Sequence, residues 1–219
     1  MVTTLAISKE LTNLSAVTER FNLTYTTNIQ FFTEWFETLP LLSQKEQAVL
    51  HHIQQRFLDH RNRGFLPEGT VDKLIVSPLL DLAGLYEPQF TIRTEASVEI
   101  VLEDRDEKLQ GRIDTLIVQD QFWILVVEAK NTALSLSVAI PQALTYMMSA
   151  PHPDDPVFGL VTNGDEFRFI KLLQSPLSTP QFDLSDSFSV IPPHRSQLNQ
   201  VLQILKVLQN RVSQVPTQT

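Results

Sequence analysis

Residues 111–130 read GRIDTLIVQDQFWILVVEAK, and this stretch decides the fold. Two β-rich segments, 109–118 and 122–130, flank the polar turn QDQ, a pattern that predicts two strands joined by a hairpin. Apolar residues occupy both faces of 122–127, which is typical of a strand buried on both sides. The sequence therefore predicts a sheet that is covered by other elements.

Charged residues end this buried strand. Glu128 and Lys130 are two residues apart, so they share one face of the strand. Asp114 lies in the preceding strand, and a hairpin that turns near Asp120 brings it beside Glu128. Two carboxylates and one ammonium then converge at an edge of the sheet. The alternative is a solvated surface ion pair, which is what most Glu/Lys pairs are.

The predicted convergence suits metal-dependent chemistry on a phosphate. Asp114 and Glu128 offer the oxygen ligands that Mg²⁺ prefers, and the carbonyl of Ala129 could add another. Mn²⁺ is the second ion that we consider. Lys130 could orient, or lower the pKa of, a water that attacks phosphorus, and it would offset negative charge that grows in the transition state.

Further strands and helices follow on both sides of this stretch. Segment 97–103 precedes it as a strand, and a helix over about 138–149 follows it. Two more strands, 157–162 and 166–172, are joined through Asn163-Gly164, a strong hairpin signal. We expect an α/β fold whose mixed sheet of about five strands is flanked by helices.

The N-terminal part reads as helical. Residues 1–27 form an arm with a short helix, and aromatic residues at helical spacing in 28–37 indicate one buried face. Ser43 and Glu46 form a capping box that predicts a helix start. The apolar stripe of that helix is predicted to be Val49, Ile53 and Phe57.

The remaining segments are predicted to form two further helices and a loop. A second helix is expected over about 68–83, with a kink or break at Pro78. Four prolines make 173–193 read as loop, and apolar residues at helical spacing predict a last helix over about 196–212. The helix that begins at Ser43 also carries histidines and arginines on one face. This face is either simply solvated or binds the phosphates of a nucleic acid.

The metal-site residues also resemble a known family. Asp114 followed by Glu128-x-Lys130 looks like the PD-(D/E)xK nuclease superfamily, although Ile113 stands at the position of its proline. Gln142 and Tyr146 match the Q-x-x-x-Y motif of RecB-like nucleases and of the N-terminal nuclease domain of type I restriction enzyme R subunits. Residues 76–84, VSPLLDLAG, are similar to a helix of that same domain.

The resemblance implies a restriction-endonuclease-like fold and a role for each matched residue. By this resemblance Asp114 and Glu128 bind the metal, Lys130 is catalytic, and Gln142 and Tyr146 help to position DNA. The family also carries a glutamate on its first helix. The nearest accessory candidate is Glu68, with Asp72 as a competitor.

The similarity also suggests a division of the chain. We expect an N-terminal helical extension over 1–65, a nuclease-like core over 66–172, and a loop and C-terminal helix over 173–219.

Composition excludes several other classes of protein. The 219 residues include 17 Lys+Arg and 25 Asp+Glu, so the formal net charge is 17 − 25 = −8, which argues against a basic DNA-coating protein. Cysteine is absent, which excludes disulfides and thiolate metal sites. With no signal-peptide pattern and no apolar run long enough to span a membrane, we expect a soluble, cytoplasmic protein.

Two functions from different classes follow. The first is a Mg²⁺-dependent DNA endonuclease of restriction-modification type that stands alone. The second is a catalytically inactive nuclease-fold module that binds DNA or protein. No G-x-x-x-x-G-K-[S/T] motif is present, so a motor or specificity subunit would be a separate partner. Cutting both strands of a duplex would favour a homodimer.

Overall fold

A computed structural model describes residues 3–102, 106–175, 178–191 and 196–212. The strands are β1 Thr3–Ala6, β2 Thr24–Tyr25, β3 Thr91–Leu102, β4 Glu107–Gln119, β5 Phe122–Ala129, β6 Val157–Thr162, β7 Glu166–Ser175, β8 Ser178–Leu184 and β9 Phe188–Ser189. The helices are α1 Ile7–Glu10, α2 Leu14–Phe21, α3 Gln44–Arg61, α4 Glu68–Val71, α5 Ser77–Leu82, α6 Leu136–Met147 and α7 Leu198–Val212. A π-helical turn, Asp72–Val76, joins α4 to α5.

The long strand β4 organises one end of the sheet. Antiparallel β3 pairs with β4 from Thr91↔Val118 to Leu102↔Glu107. Parallel β1 pairs with residues 107–110 of β4, and antiparallel β5 pairs with residues 115–119. Because a strand has only two edges, β1 and β5 share the edge that β3 leaves open. Residues 111–114 of β4 lie between these two partners.

The rest of the sheet continues from β5. Strand β6 pairs with β5 in parallel, and α6 makes the crossover between them. Antiparallel β7 and β8 follow, parallel β2 closes the far edge, and β9 pairs with the start of β7. The strand order is β1-β4-β5-β6-β7-β8-β2, with β3 and β9 off this path.

Two hydrophobic clusters cover the two faces of the sheet. The first contains buried residues of α3, α4, α5 and α7, and the second contains buried residues of α1, α2 and α6. All six residues of β6 are buried, as expected of a strand that lies between two layers. Among the described residues, no helix is both long and apolar enough to cross a membrane.

Several local predictions are confirmed. Ser43 and Glu46 form the reciprocal capping box at the start of α3. The Asn163-Gly164 hairpin joins β6 to β7, with Gly164 at φ +86° and Asn163 Oδ1 accepting from the backbone N–H groups of Asp165 and Glu166. The break expected at Pro78 takes the form of the π-helical turn that ends just before it.

Within the described residues the sheet has nine strands, more than the about five expected. The segment 173–193, predicted as loop, contains the end of β7, most of β8 and all of β9. Pro180 lies where the register of β8 on β7 shifts, so its missing N–H breaks no regular ladder bond. The prolines at 176, 192 and 193 fall outside the described residues.

The N-terminal part also differs from its prediction. Residues 3–25 contribute β1 and β2 to the sheet in addition to two helices. Segment 28–37 forms turns rather than a helix, and of its aromatic residues only Phe32 is fully buried. In α3 the inward-facing residue is Leu50 rather than Val49, which is exposed, while Ile53 and Phe57 are buried as expected.

Candidate metal centre

The β4–β5 hairpin places Asp114 beside the end of β5. Thr115 pairs with Val127, so Asp114 stands next to Glu128 across the ladder. The backbone N–H of Ala129 donates to Asp114 Oδ2 at 2.8 Å. The predicted convergence of Asp114 and Glu128 is therefore present in the structure. The predicted location at a sheet edge is wrong, because β4 and β5 are interior strands.

A third carboxylate joins them from the helical layer. Glu68, the first residue of α4, offers a carboxylate oxygen that lies within 4.8 Å of those of Asp114 and Glu128. Asp72, the competing candidate, accepts from Ser77 Oγ and is not part of this trio. Glu68 and Asp72 both line an open cleft of about 440 Å³, which also contains Ala129.

Glu128 is the most buried member of the trio. Its side chain is 0% exposed, and its Oε1 accepts a hydrogen bond from Lys130 Nζ. Among the described residues, its buried Oε2 has no hydrogen-bond partner. Burial first, and the charge of Asp114 second, raise the pKa of Glu128 to about 8. A buried carboxylate oxygen without a partner is costly unless something else binds it.

Burial and neighbouring charges also shift the pKa values of Asp114 and Lys130. Burial raises the pKa of Asp114 to about 6, although the hydrogen bond from Ala129 and the charge of Lys130 oppose the shift. Burial alone would lower the pKa of Lys130, but the Glu128 carboxylate outweighs it, so the pKa is raised. Lys130 Nζ also lies 3.5 Å from Glu68 Oε1. Lys130 is therefore an ammonium at neutral pH.

The donor set fits a hard divalent cation. Three carboxylate oxygens within 4.8 Å of one another are the ligand type that Mg²⁺, Mn²⁺ and Ca²⁺ bind. Without a cation these groups repel one another, and a bound ion would satisfy the free oxygen of Glu128.

Gln142 and Tyr146 lie beside this site on α6. Gln142 Nε2 donates to the Tyr146 hydroxyl at 2.8 Å. Tyr146 is 1% exposed, whereas Gln142 is partly exposed, so of the two only Gln142 reaches the surface. Burial and then the charge of Glu128 raise the pKa of Tyr146 to about 12, while hydrogen bonds from Gln142 and the backbone of Arg112 lower it. The phenol of Tyr146 thus lies against residues 111–112 of β4, between the part of β4 that pairs with β1 and the part that pairs with β5.

One charged residue that lines the cleft was not predicted from the sequence. Glu95 of β3 lines it, and its charge adds to the raised pKa of Asp114. Glu95 has φ +51° and falls between the pairs Thr94↔Thr115 and Ala96↔Ile113, which places it opposite Asp114. Nothing in the local sequence distinguishes this glutamate from other exposed ones, because its position depends on the strand register.

Comparison with known proteins identifies a family. The model for the family described as the N terminus of type I restriction enzyme R protein matches residues 7–176, which is more than half of the chain. The match begins well before residue 66, where the motif resemblance starts, and so includes β2, α2 and α3. No curated protein matches the sequence.

Proposed function

Because the chain belongs to the family of type I restriction enzyme R protein N termini, we propose that it is a DNA endonuclease that requires Mg²⁺ or Mn²⁺. The observation that carries this proposal is the trio of Glu68, Asp114 and Glu128 beside the ammonium of Lys130. The reaction is hydrolysis of a phosphodiester bond. The oxygen of a water molecule forms a bond to phosphorus, and the bond from phosphorus to the leaving nucleotide oxygen breaks. The attacking water loses a proton, and the leaving oxygen gains a proton.

Asp114 and Glu128 would hold the ion, with Glu68 as the third carboxylate and the carbonyl of Ala129 as a further oxygen ligand. When bound, the ion would polarise the phosphate and activate a water. The hydrogen bond from Ala129 orients Asp114, and Lys130 orients Glu128.

Lys130 has a second role in this proposal. Because its pKa is raised, Lys130 stays protonated near neutral pH and does not act as a general base. It supplies positive charge close to the site where negative charge grows on the phosphate oxygens. The partly exposed Gln142 would help to position the DNA backbone, and Tyr146 would hold Gln142 through their hydrogen bond.

Nicking of supercoiled plasmid in Mg²⁺ or Mn²⁺ tests the proposal. Wild type should convert supercoiled to open-circular or linear DNA, and Asp114→Asn, Glu128→Gln and Lys130→Met should each lose at least about 100-fold in rate. Lys130→Met keeps the apolar stem of the side chain. Exposed residues provide matched controls: Asp155→Asn for the carboxylates and Lys45→Met for the lysine should cleave like wild type.

Binding of Ca²⁺ by titration calorimetry separates metal binding from catalysis. Lys130→Met should still bind Ca²⁺, and Asp114→Asn should not. If wild type binds metal but cleaves no DNA, the chain is the inactive nuclease-fold module. A homodimer and separate motor or specificity subunits are further proposals, and light scattering with and without DNA tests the first of them.

A further inference from the structure

Phe65 is a large aromatic residue held in an exposed position next to the candidate metal centre. Its side chain is 58% exposed, although the neighbouring Leu66 is buried in the first hydrophobic cluster. The chain reaches it through Gly64 at φ +137° and leaves it through Pro67 at φ −63°. The buried Leu66 and the ring of Pro67 restrict this segment, so the aromatic ring faces solvent from a fixed base.

Two hydrogen bonds fasten this segment to the loop that follows β5. The backbone N–H of Leu66 donates to Thr132 Oγ1 at 3.0 Å, and the backbone N–H of Thr132 donates to the Leu66 carbonyl at 3.2 Å. Thr132 follows Lys130 by two residues, and Glu68 follows Phe65 by three. A fully extended chain spans at most about 3.6 Å per residue, so the backbones of Phe65 and Glu68 are within about 11 Å.

Arg63 places a positive charge two residues before Phe65, in a chain whose formal net charge is −8. Arg63 is exposed, and no ion pair involves it among the residues that the structure describes. Arg61, in contrast, forms a bidentate pair with Asp165 at 2.9 Å and fixes the end of α3 to the β6–β7 hairpin. The guanidinium of Arg63 therefore remains available to an anion from outside.

We propose that Phe65 stacks on an unpaired base of the substrate while Arg63 holds a phosphate beside it, so that this nuclease acts on DNA with single-stranded nucleotides at the cleavage point. The inference rests on the proposed function and adds the substrate class. An aromatic face stacks on any base that is free of its own stack, but a base inside a duplex presents only its edges. Arg63 adds affinity that does not depend on sequence.

Fluorescence anisotropy with a labelled 20-nucleotide single strand of mixed sequence, and with the matching blunt duplex, tests the proposal in Ca²⁺. Wild type should bind the single strand more tightly than the duplex. Phe65→Ala should weaken single-strand binding about 5- to 150-fold, the loss that corresponds to one stacked base, and change duplex binding less. Phe65→Trp should retain the affinity, and Arg63→Ala should weaken both substrates and flatten the salt dependence.

Phe36→Ala is the matched control, because Phe36 is also a largely exposed phenylalanine, at 47%, and its ring contacts that of Trp35. Thermal melts in Ca²⁺ check that each variant folds and binds metal. Equal single-strand affinity of Phe65→Ala and wild type overturns the inference, as does tighter wild-type binding to the duplex. Phe65-dependent binding of the single strand without cleavage in Mg²⁺ would support the stacking contact and contradict the nuclease proposal on which the cleavage part of the inference rests.

Discussion

At the scale of single residues, the candidate metal centre brings carboxylates together in surroundings that favour their neutral form. Glu128 is completely buried, and one of its oxygens has no partner among the described residues. Lys130 neutralises part of the charge, yet the pKa of Glu128 is still raised to about 8. The metal-free site therefore binds a proton more readily than an ordinary carboxylate does, and a bound divalent ion would compete with that proton.

This raised pKa predicts how the stability of the metal-free protein changes with pH. The folded state binds the Glu128 proton more tightly than the unfolded chain does, so its contribution is full below the ordinary pKa and is lost as pH rises through about 8. Urea unfolding in EDTA should give a lower free energy of unfolding at pH 8.5 than at pH 5.5. Glu128→Gln, which mimics the protonated form, should show a flatter profile, and an unchanged slope would contradict the shift.

A substitution at Asp114 tests metal ligation and the repulsion between carboxylates separately. Asp114→Asn can still accept the hydrogen bond from Ala129 but no longer repels Glu128, so the metal-free variant should be at least as stable as wild type. Wild type should gain about 2.7 kcal/mol when Mn²⁺ stands at a hundredfold its dissociation constant. Melting curves with and without Mn²⁺ should show this gain in wild type and in Asp155→Asn. A full gain in Asp114→Asn would exclude Asp114 as a ligand.

At the scale of elements, β4 and α6 approach each other closely at Gly111 and Tyr146. A Cβ atom at Gly111 would lie 2.7 Å from Tyr146 Cε1 and 2.9 Å from its hydroxyl oxygen. Gly111→Ala should therefore destabilise the fold by about 1–3 kcal/mol through overpacking, measured as the free energy of unfolding in urea. Gly69→Ala, whose added Cβ meets nothing within 4 Å, is the control and should be neutral or slightly stabilising. Equal stabilities would mean that the Tyr146 ring shifts without cost.

The same elements show how far sequence reasoning reaches. Asp114, Glu128 and Lys130 could be brought together from the sequence because strand alternation and a short hairpin are local rules. Glu68 lies 46 residues before Asp114, so only its resemblance to a family position could suggest it. Strands β2 and β9 have two residues each, and their pairing depends on β8 and β7 rather than on any pattern of their own.

At the scale of the whole molecule, the residues of the candidate metal centre come from the sheet and from the helical layer on one of its faces. Glu68 begins the α4–α5 segment, which packs in the first hydrophobic cluster, while Asp114 and Glu128 belong to the sheet itself. Tyr146, which belongs to the second cluster, lies against residues 111–112 of β4. An ion held by all three carboxylates would therefore tie the first layer to the sheet, so metal binding should be visible far beyond the ligands.

Hydrogen exchange measured by mass spectrometry tests this coupling. Residues 68–82 include the π-helical turn, whose hydrogen-bonding pattern is less regular than that of an α-helix. If opening of this segment releases Glu68 from the ion, Mn²⁺ at a hundredfold its dissociation constant should slow exchange there by up to about 100-fold. Glu68→Gln should abolish the slowing, the exposed Glu87→Gln should retain it, and peptides from α7 should respond less. Undiminished slowing in Glu68→Gln would show that the ion is held by the sheet alone, because the helical layer would then gain its protection without a ligand of its own.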